Sequence, residues 1–239
     1  MMNYVMSDVH GDYEKYQKML ELIGLSDSDT LYLGGDLCDR GRDSAKLYLD
    51  VMERKNVVMI KGNHEELLLE QFTYLEEAYP EQNVGFFDLF YDRHLWIWFH
   101  NGGDATLLSM LEQSKKDQRR ILDFIEALPY YVTVEVNGIQ YTLVHGGLGD
   151  FTDGTALEEV SCKDMLWTRP DFDRRYFRQE NRRLIVGHTP TFLIRNDGKH
   201  ATVYHGKGDV IAIDCGAVFP EYRGRLGCLC LETGEEFYV

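Results

Sequence analysis

The chain has 239 residues, 44% of them hydrophobic, and 40 acidic against 25 basic side chains, for a formal net charge of −15. That length suits one α/β domain with a sizeable core, the acidic balance disfavours partners held by many phosphate contacts, such as long nucleic acids, and no apolar run approaches the roughly 20 residues of a bilayer crossing. Five cysteines without a C-x-x-C pair indicate reduced, mostly buried thiols rather than a disulfide framework, and the opening Met1-Met2-Asn3-Tyr4 lacks the pattern of a secretory signal, so the expected setting is the cytoplasm with no membrane partner.

In chain order, the apolar run at 3–6 reads as a strand and residues 12–24 as a helix, with an apolar pattern at Tyr16, Met19, Leu20, Leu22 and Ile23 and Gly24 at the end. A strand at 30–33, a helix at 44–54 and a strand at 57–60 continue a βαβαβα order, the signature of a mainly parallel layered sheet. From about 66 to 128 the chain turns rich in Leu, Glu, Phe and Trp and is broken at Pro80 and Asn101-Gly102-Gly103. We read this stretch as a helical insertion or cap. Its aromatic stripe, Phe86, Phe87, Phe90, Tyr91, Trp96, Trp98 and Phe99, suits cap core. After Pro129, strands at 130–136 and 140–145 flank an Asn137-Gly138 hairpin turn. Later strands near 183–187, 202–204, 209–214, 226–231 and 236–239 are expected to complete the second sheet.

Five polar segments interrupt this pattern: SDVHG at 7–11, GGDLCDRG at 34–41, KGNHE at 61–65, HGGL at 145–148 and GHT at 187–189. Each follows an apolar run, and the crevice beyond the carboxyl ends of strands is where open α/β sheets bind ligands. Asp8, His10, Asp36, Asn63, His145 and His188 offer carboxylate, imidazole and amide donors without thiolate, a mixture suited to borderline divalent metals such as manganese, iron or zinc. Such a set proposes a two-metal site. His94, His100, His200 and His205 have no comparable framing and stay outside it.

The ordered run SDVHG, GDLCDRG, GNHE, HGGL and GHT, spanning residues 7 to 189, resembles the phosphoprotein phosphatase branch of the calcineurin-like metallophosphoesterase superfamily, the family of bacterial and phage serine/threonine phosphatases. The resemblance implies an α/β (α+β) fold in which a two-sheet β-sandwich is flanked by helices, here a single domain over 1–239 with the insertion at about 66–128. It further implies that Asp8 and His10 bind the first metal, that Asp36 bridges both, and that Asn63, His145 and His188 complete the second. Ser7 stands where many members have Gly, and Lys61 where Arg often precedes GNHE; neither removes a ligand.

The chemistry fits these residue types. Two metals about 3.5–4 Å apart can clamp an in-line displacement and hold a hydroxide between them, which attacks phosphorus directly. His64 is placed to protonate a leaving alkoxide, and Asp39 resembles the family partner that keeps that imidazole charged. Arg40 is expected to grip the phosphate oxygens, with Arg169 in MLWTRP as the second grip and Arg174, Arg175 and Arg178 as neighbouring alternatives.

The leading functional expectation is a metal-dependent, manganese-preferring hydrolase of phosphate monoesters, acting on phosphoserine and phosphothreonine of proteins. The alternative is a symmetrical dinucleoside polyphosphate hydrolase acting on diadenosine tetraphosphate. A non-catalytic metal-binding interaction protein is the third reading. The partner is accordingly a phosphoprotein or a small phosphorylated substrate.

Overall fold

A computed structural model describes residues 1–79, 89–195 and 201–239. Pro80, Phe86, Phe87 and His200 lie outside the described residues. The first third alternates strand and helix as the spacing predicts: β1 (Asn3–Met6), α1 (Tyr13–Ile23), β2 (Thr30–Leu33), α2 (Ser44–Glu53), β3 (Val57–Met59) and α3 (Asn63–Ala78). Asp12 caps α1 by accepting the Lys15 N–H at 3.0 Å, and Gly24 ends it at φ 58°. Three further helices follow, α4 (Trp96–His100), α5 (Gly103–Leu111) and α6 (Lys115–Glu126). The hairpin of β4 (Tyr131–Val136) and β5 (Ile139–Val144) turns at Asn137 and Gly138, both at positive φ as a tight hairpin requires. The remaining elements used below are α7 (Cys162–Trp167), β6 (Arg182–Val186), α8 (Thr191–Ile194), β7 (Tyr204–His205), β8 (Val210–Ala212), β9 (Gly227–Cys230) and β10 (Glu236–Tyr238).

The strands form two mixed sheets, ordered β10-β9-β1-β2-β3 and β4-β5-β6-β8-β7. One expectation is corrected here. The last two strands do not join the second sheet; β9 pairs antiparallel with β1, Tyr4 opposite Cys230 and Met6 opposite Cys228, and β10 pairs with β9. Alternating burial tells which face each residue of a strand serves, but β1 offers a free edge that only the folded topology reveals.

Alternation sorts the core into layers. Val5, Tyr32, Leu229, Leu143, Ile185 and Ile211 point between the sheets and pack together. Their neighbours Met6, Leu33, Cys228 and Cys230 face the helices outside the first sheet, while Val144, Leu184, Val186 and Ala212 face the loops and α7 outside the second. The helices after β3 share the outer core of the first sheet: Leu68, Phe72, Trp98, Leu107 and Ile121 pack with Leu33, Leu47 and Tyr48. The aromatic stripe is therefore split. Trp98 and Phe99 are buried, whereas Phe90, Tyr91 and Trp96 are exposed. Cys38, Cys215, Cys228 and Cys230 are buried free thiols, but Cys162, at the start of α7, is exposed, against the expectation for it. No described helix is long and apolar enough to cross a membrane.

Asp209 fastens the long 168–181 connection to the second sheet. It is buried, and its carboxylate accepts the N–H groups of Tyr176 at 2.9 Å and Phe177 at 2.7 Å. Replacing it by Ala strands two buried donors. Asp209→Ala is therefore expected to lower stability by about 2–4 kcal/mol in urea unfolding, with metal content unchanged.

Candidate metal and phosphate site

Strand ends build the site. β1, β2, β5 and β6 stop just before Asp8, Asp36, His145 and His188, and β3 leads into Asn63, the first residue of α3. The loops are tied to one another by backbone hydrogen bonds: Asp8 N–H to Gly35 O at 3.1 Å, His10 N–H to Asp36 O at 3.0 Å, and Gly187 N–H to His145 O at 2.8 Å. Among the described residues, eight non-glycine residues have positive φ, and six of them belong here: Asp8, His10, Asp36, Asp39, Arg40 and His188. Left-handed backbone is unfavourable for such residues and persists where the surroundings impose it, which is common at functional sites.

Asp36 is the centre. Its Oδ2 lies 3.3 Å from His145 Nε2, 3.8 Å from His64 Nε2 and 3.9 Å from His10 Nε2. Two clusters have donor atoms within 4.8 Å of one another, His10 with Asp36 and His64, and Asp36 with His145 and His188. Asn63 Oδ1 joins the second, 2.9 Å from His145 Nε2. Asp8 falls outside both clusters but is adjacent, its carboxylate accepting the His188 N–H at 3.1 Å. The donor chemistry fits two divalent cations. His10 and His145 each turn Nδ1 to a carbonyl, of Cys38 and Gly34, both at 2.8 Å, which leaves Nε2 facing Asp36. Three buried carboxylates meet here without enough positive charge. Burial and the Asp214 charge push Asp8 well up, and burial raises Asp214 to about 6. Asp36 alone is held low, the charges of His145 and His64 outweighing its burial. Cations would relieve that imbalance.

One of these clustered donors, His64, also belongs to a hydrogen-bonded pair. His64 Nδ1 is 2.6 Å from Asp39 Oδ2, with both residues buried. Burial opposes a charged ring at His64, but the Asp36 charge and the Asp39 hydrogen bond outweigh it and raise its pKa. The Arg40 guanidinium donates to His10 Nε2, reaches within 3.3 Å of His64 Nε2 and lies over the Phe219 ring at 5.2 Å. Arg40 and Arg169 both line a cavity of about 320 Å³ with Asp8, Asp36, Asn63 and His188. Of the alternatives, Arg174 is engaged with the Phe151 carbonyl and the Tyr176 ring, and neither Arg175 nor Arg178 lines the cavity. His94 stacks on Tyr74, His100 folds back on Trp96 and His205 pairs with Glu236, each apart from the cavity.

Two acids escaped the sequence reading. Asp214 follows β8 as a sixth strand-end polar residue and the third carboxylate among them, and the run Val210-Ile211-Ala212-Ile213 before it carried the same signal as the other five. Glu65 was read only as part of a motif. It is fully buried, and its carboxylate accepts the N–H groups of Asp36, Leu37 and Gly62 at 2.8 Å each and the Tyr48 hydroxyl at 2.7 Å. Trp167, 45% exposed, stands edge-on to His188 at 6.1 Å and gives the cavity an aromatic wall.

Burial disfavours a charged His145, yet Asp36 and Asp8 raise it to about 10, so it is protonated at pH 7 without a cation. Ligation through Nε2 requires loss of that proton, and affinity should therefore rise with pH toward about 10. Manganese titrated into chelator-treated protein is expected to bind at two ions per chain with net proton release at pH 7, measured calorimetrically in buffers of different protonation enthalpy. Binding of a single ion, or no proton release, would count against this donor set.

Residues 3–216 match the calcineurin-like phosphoesterase family. Among curated relatives, a symmetrical bis(5'-nucleosyl)-tetraphosphatase of Wigglesworthia glossinidia brevipalpis is 33% identical over 86 residues, 35% of this chain and 32% of that protein. Serine/threonine-protein phosphatase 2 of Escherichia coli K12 is 26% identical over 173 residues, 69% of this chain and 66% of that protein. The chain thus aligns with less than two thirds of either relative's length. A solved serine/threonine phosphatase from Saccharomyces cerevisiae, described as similar to human PP5, superposes with a TM-score of 0.64 at 16% identity, over 98% of this chain and 73% of that one, a likeness of fold. With the family matched over residues 3–216 and the two mixed sheets flanked by helices in place, the chain belongs to the calcineurin-like phosphoesterases.

Proposed function

We propose that this protein is a metal-dependent phosphoesterase that hydrolyses phosphate monoesters, with phosphoserine and phosphothreonine of proteins as the first-choice substrates and manganese as the first-choice metal, ahead of iron or zinc. The observation that carries this reading is the buried Asp39–His64 pair, whose imidazole sits among the clustered donors. Two bound cations supply an activated water and neutralise charge on the phosphoryl oxygens. Asp8, His10, Asp36, Asn63, His145 and His188 would hold them. Arg40 and Arg169 approach the same cavity and are suited to orient the phosphoryl group through charge-assisted hydrogen bonds. His64, its Nδ1 fixed by Asp39, presents Nε2 and gives its proton to the departing oxygen. An alkoxide, the leaving group of a phosphoserine, depends on such a proton far more than an acidic phenol does. The free cysteines suit a reducing compartment such as the cytoplasm.

A second reading is symmetrical hydrolysis of a dinucleoside polyphosphate. Exposed Trp167 beside His188 favours it, since an indole face at the cavity suits stacking of a nucleobase, and one curated relative carries that name. A non-catalytic role sits poorly with a complete donor set and an intact acid pair.

The deciding experiment compares kcat/KM on a phosphoserine peptide and on diadenosine tetraphosphate in one manganese-loaded preparation. Preference for the peptide supports the first reading; preference for the dinucleotide replaces it with the second. His64→Asn is expected to slow the peptide by about 10²–10⁴-fold while slowing p-nitrophenyl phosphate far less. Equal losses would assign His64 another role. Arg40→Ala and Arg169→Ala should each weaken inhibition by inorganic phosphate, costing about 1.5–3 kcal/mol, with both metals retained on analysis.

A further inference from the structure

The segment Asn101-Gly102-Gly103-Asp104-Ala105-Thr106 received no role from the sequence, and Trp98 was read as cap core. In the fold, both close on Asp39. The indole Nε1–H of Trp98 lies 3.1 Å from Asp39 Oδ1 and 3.1 Å from Oδ2, and neither residue has any solvent access. Thr106 Oγ1 accepts the Asp39 N–H at 2.7 Å, and Gly102 O accepts the Arg40 N–H at 2.9 Å. Asp39 and Arg40 both sit at φ 69°, so this corner between α4 and α5 holds two residues in backbone conformations they would not keep unaided.

The indole is itself held in place. A Cβ on Gly103 would fall 2.3 Å from the Trp98 ring, so the glycine permits the close approach, and Phe72 and Phe99 pack against the ring at 6.2 and 5.6 Å. A tryptophan needed only to fill space could bury its N–H against any acceptor, such as a helix carbonyl. Here the donor is shared between both oxygens of the carboxylate whose Oδ2 grips His64 Nδ1. A carboxylate held by one imidazole alone can rotate about its own bond. A second donor that meets both oxygens removes that freedom and aims the imidazole.

We propose that Trp98 is a positioning residue for protonation of the leaving group, its indole N–H locking the Asp39 carboxylate so that His64 Nε2 points into the phosphate cavity. This rests on His64 being the acid, as proposed above. The α4–α5 corner, remote in sequence from the donor motifs, would then set how strongly the reaction depends on its leaving group.

The test compares kcat on n-propyl phosphate, whose alkoxide needs the proton, with kcat on p-nitrophenyl phosphate, in manganese-loaded full-length protein. Trp98→Phe should lose about tenfold on the alkyl ester and less than about threefold on the aryl ester, the scale expected for one hydrogen bond to a charged group. In a His64→Asn background, the same change should add no further selective loss. Because Phe leaves a gap that could unsettle the core, a second variant carries benzothienylalanine at position 98, which keeps the ring's shape but lacks the N–H. It should reproduce the selective loss. Equal losses on both esters for Trp98→Phe, or wild-type selectivity with benzothienylalanine, would overturn the positioning role while leaving His64 as the acid. Should His64→Asn itself show no leaving-group selectivity, the acid assignment falls and this proposal falls with it.

Discussion

Glu65, a carboxylate with no access to water, joins the parts of the structure that everything else relies on. Its oxygens accept three backbone N–H groups from the ends of β2 and β3 and a phenol from α2. The side chain itself comes from the first turn of α3. A buried carboxylate is tolerable only when its lone pairs are met, and here the groups that meet them are the loops that carry Asp36 and Asn63. The Asp36 backbone is left-handed and would not hold that shape unaided. The close approach also needs Gly62, where a Cβ would fall 2.2 Å from Asp36 Oδ1.

With that junction fixed, the chemistry of Asp36 follows. The second amide of α3 contributes: His64 N–H donates to Asp36 Oδ1 at 3.0 Å, placing the positive end of α3 on the carboxylate. Imidazoles approach the other oxygen from two loops and from the first turn of α3. Charge accumulates in a buried crevice where Asp8 and Asp214 resist ionisation. Strain and electrostatic imbalance are concentrated at the meeting of the two sheets, and the regular layers behind it supply the rigidity that keeps them there.

A solved chain only 16% identical shares this scaffold, and a shared fold does not by itself fix a function. Around the donors the cavity also has apolar walls. Trp167 follows from α7, Leu193 from α8 and Phe219 from the loop after β8, and all three line the cavity without contributing a donor. Phe219 does so while supporting the Arg40 guanidinium.

Much of this was legible in the sequence, because strand-then-polar segments have a local cause. The apolar runs before Asp8, Asp36, Asn63, His145 and His188 must be buried as strands, and a polar donor at such an end must face the crevice. The clustered donor residues and the helices α1 and α2 are legible in spacing, and the Asp39–His64 contact is the one that the resemblance of the motifs implied. What only the tertiary structure decided is pairing over distance. Alternation in 226–231 fixed which side chains share a face, but not that β9 would lie beside β1 rather than join the second sheet. Likewise, Trp98 in an aromatic stripe reads as core, since buried area explains it. Its N–H direction depends on a contact 59 residues away in sequence, and no local pattern encodes that, because the partner of a hydrogen bond is chosen by the packing of the whole chain.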